Sequence, residues 1–193
     1  IKYLRRHNQL PVIPVFIIDN SNESNLISEL CFRENQRLEP LKVELHIIAG
    51  HGNIGYGRAN NLILQIIDSD FHLILNPDIT LEEDALFLAV ARMIETEEIK
   101  ALGPNATDSF GNKQYLCKSY PSVFILLIRG LRLAIFEKFF SDRLSFYENR
   151  DLPEDRPTVK KMLLSGCFLL VETRTFKVIN GFDERYFLYF EDF

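Results

Sequence analysis

The groups in this sequence that could do chemistry are carboxylates set beside aromatics and glycines. Glu191 and Asp192 follow the aromatic run RYFLYF (185–190). A carboxylate in a pocket that limits water can act as general base for a sugar hydroxyl, and aromatic faces are natural platforms for sugar rings. Core aromatics followed by solvated acids would look the same locally. Asp78 stands just past an apolar run in LILNPD (73–78), where Pro77 fixes the backbone and Asn76 can brace the turn. A carboxylate there could hold Mg2+ or Mn2+ on a diphosphate, the ion stabilising charge on a leaving phosphate. A plain turn with Asp78 capping the next helix is the alternative. Asp19 closes PVIPVFIID (11–19) and could accept from a base N–H or a ribose hydroxyl, or simply form an Asx-turn into Asn20 and Ser21. In GNIGYGRANN (52–61) the glycines permit close backbone approach, and a helix opens whose N-terminus favours anions. That loop is neither a Walker loop nor a GxGxxG fingerprint. Ser165-Gly166, inside the apolar run 163–171, marks close approach of a ligand or another backbone. His7, His46, His51 and His72 stand in unrelated contexts, and no GxSxG or HExxH occurs.

These groups need elements to hold them. The β-branched run 11–19 predicts a buried strand feeding the polar loop NSNESN, and LISELCFREN (26–35) predicts the helix after it. VELHII (43–48), FHLILN (71–76) and IKALGP (99–104) predict further strands, with a helix over 58–68 and a hairpin-like turn at DSFGN (108–112). Thr80 and Glu83 have capping-box spacing and predict a helix over 80–97. The run 163–171 predicts a strand, followed by a short helix and the turn Asn180-Gly181. Strands alternating with helices imply one α/β domain with a mostly parallel sheet, in which ligands sit outside the carboxyl ends of the strands. Asp19, the loop 50–57 and Asn76–Asp78 are then expected to converge on one crevice.

A chain of 193 residues can build a sizeable core, and a net charge of −5 argues against a broad footprint for nucleic acid. Cys31, Cys117 and Cys167 are far apart and form no CxxC or CxxH pattern, which suits a reducing cytosol. The apolar VFILLI (123–128) is broken by Arg129 and Arg132 and is too short to span a bilayer. The expected location is the cytoplasm, with peripheral contact at the inner face of the cell membrane. As one helix, 120–147 would put Phe124, Leu127, Leu131 and Ile135 on one side and Arg129 and Arg132 on the other. Such a helix could pack on the core, meet a second copy in a homodimer, or touch a membrane or a lipid-linked substrate.

Four motifs taken in order resemble glycosyltransferase family 2, most closely its rhamnosyltransferase-like branch: VFIIDNSNESN (15–25), NIGYGRANN (53–61), LILNPDI (73–79) and SGCFLLVETRTFKVINGFDERYFLYFED (165–192). The resemblance spans nearly the whole chain. It implies a single GT-A domain over 1–193, with a Rossmann-like, mostly parallel central sheet flanked by helices. It further implies inverting transfer of a sugar from a nucleotide-diphosphate donor, such as dTDP-rhamnose or a UDP-sugar, to a polysaccharide or lipid-linked glycan, assisted by Mn2+ or Mg2+. By that resemblance Asp19 contacts the nucleoside, while Asn53, Gly55, Asn60 and Asn76 line the donor site. Asp78 binds the metal on the diphosphate, Asn-Pro-Asp standing where Asp-x-Asp is usual. Gly166 lies against the donor sugar or the acceptor, Asp192 is the catalytic base, and Glu191 supports the acceptor site. The family pattern begins with a strand ending near Thr-Tyr-Asn and continues past the acidic pair, often with a histidine that assists the metal. A chain truncated at both ends is therefore expected. From other classes, a non-catalytic nucleotide-sugar or carbohydrate binding module would fit the missing second Asp, whereas a nucleotidyltransferase would want a basic glycine-rich phosphate loop near the start.

Overall fold

The β-branched residues of the first run form a strand, β1 (Ile13–Ile18), which pairs in parallel with β2 (Val43–Ile48) from Ile13↔Val43 to Ile18↔Ile48. Between them come α1 (Asn25–Leu38) and a 3-10 turn (Glu39–Leu41), the crossover a parallel pair requires. Phe16 stacks on His46 across the strands at 5.1 Å. From α1, Asn35 turns its amide onto the other edge of β2: Nδ2 donates to Leu45 O (3.0 Å) and Oδ1 accepts from Leu45 N (2.7 Å). An edge strand's open donor and acceptor are thereby satisfied. The expected helix over 58–68 is shorter, α2 (Tyr56–Asn61), with turns carrying on to residue 66. The computed structural model describes residues 12–21, 25–131, 139–153, 156–160 and 162–187. They gather into two compact units, one running up to Ile66 together with the segment from Gly181, the other Ile67–Asn180.

The second unit contains β3 (Phe71–Leu75), α3 (Ala85–Glu95), β4 (Ala101–Leu102), β5 (Ala106–Thr107), β6 (Lys113–Gln114), β7 (Cys117–Lys118), α4 (Val123–Leu131), α5 (Ser141–Tyr147), β8 (Leu163–Leu164), β9 (Phe168–Glu172) and α6 (Thr173–Val178). The fold is mixed α/β, but the expected mostly parallel central sheet is not what the described residues form. Their four sheets are small, and only β1–β2 is parallel. The reason lies in β9. It inserts between β3 and β4 antiparallel to both, so those two strands share a direction without touching. As the middle strand β9 buries Phe168 to Val171 continuously, which is why its sequence is an unbroken apolar run. Phe168 and Leu170 meet Ala89 and Met93 of α3, with Phe71, Leu73, Ile99 and Leu102 around them.

Three local expectations change. The run 163–171 is two strands split by a turn at Gly166–Cys167. Helix α3 begins at Ala85, so Thr80 is not its N-cap; Asp84 is, and makes no side-chain cap bond. In 120–147, α4 buries Ile125 and Ile128 against Leu144 and Tyr147 of α5, leaving Phe124 and Leu127 exposed. The buried stripe is therefore rotated by one residue, about 100°, from the one the periodicity suggested. Residues 132–138, with Arg132 and Ile135, lie outside the described residues, as do the side chains of Arg129 and Leu131. The turn at 108–112 forms as expected: Asp108 Oδ1 accepts from Phe110 N (2.9 Å) and Asn112 N (2.8 Å), closing the β5–β6 hairpin. Asn149, 2% exposed with φ 48, accepts from Ser119 Oγ (3.0 Å) and Lys160 Nζ (2.8 Å) and donates to Cys117 O (3.3 Å).

His72 on β3 stacks on Phe176 of α6 with ring centroids 6.1 Å apart, and burial lowers its pKa from 6.5 to about 4. The folded state holds the ring neutral, whereas the unfolded chain protonates it near 6.5. Its contribution is complete above pH 6.5 and is lost as pH falls towards about 4. The total lost is as much as about 3 kcal/mol. Chemical denaturation across that window should show falling stability, and His72→Phe should flatten the slope; an unchanged slope in the variant would refute the assignment.

Candidate functional site

In the first unit the loops that follow β1 and β2 are stitched together by amides. Asn20 Nδ2 donates to Asn53 Oδ1 (3.1 Å), and Asn20 Oδ1 accepts from Ile54 N (3.0 Å). Asn53 Oδ1 also accepts from Gly55 N (3.1 Å). Asp19 is 4% exposed at the end of β1, where its N donates to Ile48 O (2.9 Å) and its Oδ1 accepts from Ser21 N (3.0 Å). The Asx-turn and the placement at a strand's carboxyl end are thus both realised. Hydrogen bonds from Ser21 hold the Asp19 carboxyl below its usual pKa, so it is an anion at neutral pH. The parallel register sets Asp19 and the 50–57 loop at the same end of the sheet.

The loop and α2 then dock on the segment 181–187. A Cβ on Gly55 would stand 2.6 Å from Phe187 O, and Tyr56 N donates to that same oxygen (3.1 Å). Tyr56 meets Phe182 edge-on at 5.6 Å. Asn61 closes a two-bond clamp on Phe182, with Nδ2 donating to Phe182 O (2.9 Å) and Oδ1 accepting from Phe182 N (2.9 Å). Its Nδ2 also donates to Glu184 Oε1 (3.0 Å), and Arg58 Nε donates to Glu184 O (2.9 Å). Asp183 accepts a two-pronged bond from Arg185, which lowers its pKa to about 2. Asn60 bonds within the helix, Nδ2 to Tyr56 O (3.0 Å). Asn61, and not its neighbour Asn60, reaches the 181–187 segment, and the adjacent amides of Asn60-Asn61 just past Gly57 are the sequence signal for it. Glu191 and Asp192 lie outside the described residues.

The second unit brings together the remaining candidates. Asn76 N donates to Cys167 O (2.9 Å), extending the β3–β9 ladder, and Ile79 N donates back to Asn76 O (3.4 Å) to close the Pro77–Asp78 turn. Gly166 is buried in the turn between β8 and β9, beside Cys167, whose N donates to Ser165 Oγ (3.4 Å). Asn76, Asp78 and Gly166 therefore share one end of the β3–β9 pair. Asp78 is exposed. Among the described residues no three His, Cys, Asp or Glu side chains form a group that could hold a metal. One exposed carboxylate suits a hydrated Mg2+ or Mn2+ that arrives on a phosphate ligand, and does not make a resident protein cage.

Two named relatives are similar to the chain. The N-acetylglucosaminyl-diphospho-decaprenol L-rhamnosyltransferase of Mycobacterium tuberculosis, in strains CDC 1551 / Oshkosh and ATCC 25618 / H37Rv, is 33% identical over 157 residues. That alignment covers 72% of this chain and 48% of the relative, so the chain spans about half the length of these relatives. Rhamnosyltransferase WbbL of Escherichia coli (strain K12) is 25% identical over 191 residues, covering 91% of this chain and 62% of that protein. No family model and no solved structure matches.

The clamp can be tested as a coupled pair. Gly181 has φ +71, and a Cβ there would come within 2.2 Å of Asn61 Oδ1. Gly181→Ala should cost on the order of 1–3 kcal/mol in thermal or denaturant unfolding. Asn61→Ala should cost a similar amount by stranding the backbone of buried Phe182, roughly 1–3 kcal/mol. In the double variant the combined loss should be smaller than the sum of the two single losses, because the clash with Asn61 disappears with the amide while the left-handed φ and the 2.8 Å approach to Leu64 Cδ1 remain. Strict additivity would mean that Gly181 does not abut Asn61.

Proposed function

We propose that the chain is part of an inverting glycosyltransferase of family 2 with the GT-A fold, transferring a sugar from a nucleotide-diphosphate donor to a lipid-linked glycan in cell-envelope polysaccharide assembly. dTDP-rhamnose or a UDP-sugar is the donor. The observation that carries the reading is the docking of the glycine-rich loop and α2 onto residues 181–187 at the carboxyl ends of β1 and β2. These are two of the motifs by which the sequence resembles the family, and an open α/β sheet binds ligands at that edge. Similarity to relatives named as rhamnosyltransferases supports the same reaction class.

In this reading Asp19 accepts from the nucleoside, and Asn53, Gly55, Asn60 and Asn76 line the donor site. Asp78 holds a divalent cation that arrives with the diphosphate; when bound, the ion neutralises charge on the leaving nucleoside diphosphate. Asp192 takes the proton of the acceptor hydroxyl, and that oxygen attacks the anomeric carbon as the bond to the diphosphate oxygen breaks, with inversion. Glu191 supports the acceptor site, and Gly166 gives close approach to the donor sugar or the acceptor. The apolar side chains that α4, α5 and their flanks leave exposed, Val123, Leu127, Phe139 and Phe146, suit peripheral contact with the lipid of the acceptor. Among the described residues no helix is long and apolar enough to cross a membrane. Contact at the cytoplasmic face is the arrangement proposed.

The test uses the full-length protein that carries this chain, with UDP-, dTDP- and GDP-sugars, each with and without Mn2+. At about a hundred times its dissociation constant, the true donor should stabilise by roughly 2.7 kcal/mol in a thermal-shift experiment. Asp78→Asn should remove the Mn2+ dependence of that shift. Asp192→Asn should abolish transfer while leaving donor binding nearly intact; weakened donor binding with normal turnover would sink the base assignment. Binding without transfer in the unmodified protein would favour a non-catalytic module, a reading the lone carboxylate of Asn-Pro-Asp also permits.

A further inference from the structure

Among the described residues two buried side-chain atoms have no hydrogen-bond partner, Asp19 Oδ2 and His51 Nε2. They belong to the same place. Asp19 directly follows β1 and His51 comes three residues after β2, and these strands end in register at Ile18↔Ile48. His51 lies within electrostatic range of the Asp19 carboxylate, a lesser influence on it than the hydrogen bonds from Ser21. The imidazole is also held in place. His51 stands between Gly50 and Gly52, both in left-handed backbone (φ 88 and 66), and its Nδ1 lies 2.7 Å from Gly52 O. A carbonyl only accepts, so Nδ1 carries a proton, and in the Nδ1–H tautomer Nε2 is an acceptor.

Burying an unpaired polar atom is destabilising, and two such atoms at one sheet edge point to an occupant that satisfies both. Asp19 Oδ2 and His51 Nε2 are both acceptors, so the occupant must bring donors. A diphosphate at neutral pH offers acceptors and would be repelled by the Asp19 carboxylate. A nucleoside offers ring N–H groups and sugar hydroxyls. We propose that His51 is a further binding residue for the nucleoside half of the donor, its Nε2 and Asp19 Oδ2 each accepting a hydrogen bond from that nucleoside. This rests on the reading of the β1–β2 edge as a nucleotide-sugar site and adds to it a residue that selects nucleoside over phosphate.

Calorimetric titration of the full-length protein with UDP, dTDP, GDP and inorganic pyrophosphate tests it, using the wild type, His51→Ala and His51→Gln. His51→Ala should weaken the preferred nucleoside diphosphate about tenfold, the value of one good hydrogen bond. Pyrophosphate affinity should not change. His51→Gln, whose amide oxygen can accept, should recover part of the loss and serves also if the alanine variant folds poorly. Thermal unfolding without nucleotide should be little changed in either variant, since no bond beyond the one to Gly52 is lost. An unaltered nucleotide affinity, or equal weakening towards nucleotide and pyrophosphate, would overturn the role of His51 alone. Absence of any nucleotide binding in the wild type would overturn the donor-site reading and this inference together.

Discussion

The candidate site depends on a planar amide exchanging two hydrogen bonds with the backbone N–H and C=O of one residue. Asn61 presents a donor and an acceptor to Phe182 in the arrangement a neighbouring strand would offer, so a helix end and an irregular segment are joined without a sheet. Asn35 treats Leu45 in the same manner at the edge of β2. A hydroxyl or a carboxylate could not substitute at either place. A serine lacks the reach and the second group, and an ionised aspartate cannot donate. Because both clamped residues are partly or fully shielded from water, each bond is worth more through the penalty of losing it than through its own strength.

The first unit is built from a parallel pair and the second from an antiparallel trio, and each geometry serves its candidates differently. The parallel pair ends both strands on one side, so residues distant in sequence, Asp19 and the 50–57 loop, become neighbours through register alone. The antiparallel pairing of β3 with β9 instead sets the end of one strand beside the beginning of the other. Asn76 thus comes against Cys167, and the turn carrying Asp78 lies at the same end as the turn carrying Gly166.

Much of this was legible in the sequence where the cause is local. β1, β2 and β3 fall where apolar runs lie between turn residues, and the 108–112 turn forms because Asp108 can bond its own following backbone. What the sequence hid has non-local causes. Nothing near residues 71–75 announces that residues 168–172 will separate them from β4. The face of α4 was misread because a strongly apolar helix offers several stripes, and the partner, Leu144 and Tyr147 of α5, makes the choice. Asn61 was indistinguishable from Asn60 until Phe182 arrived from the far end of the chain. The Thr80 capping pattern lost because the backbone after Asp78 delays the helix to Ala85.

The central position of β9 also has a meaning in time. Its two neighbours both leave the ribosome before the strand that must lie between them. Until then β3 and β4 each present an open apolar edge, and Ala89 and Met93 of α3 have no Phe168 or Leu170 to cover them. The loop to be closed is long and its contacts are remote, conditions under which folding is slow and exposed edges invite association with other chains. A ribosome making this protein must therefore carry a half-built sheet from β4 until β9 emerges, and β9 both completes that core and ends the hazard.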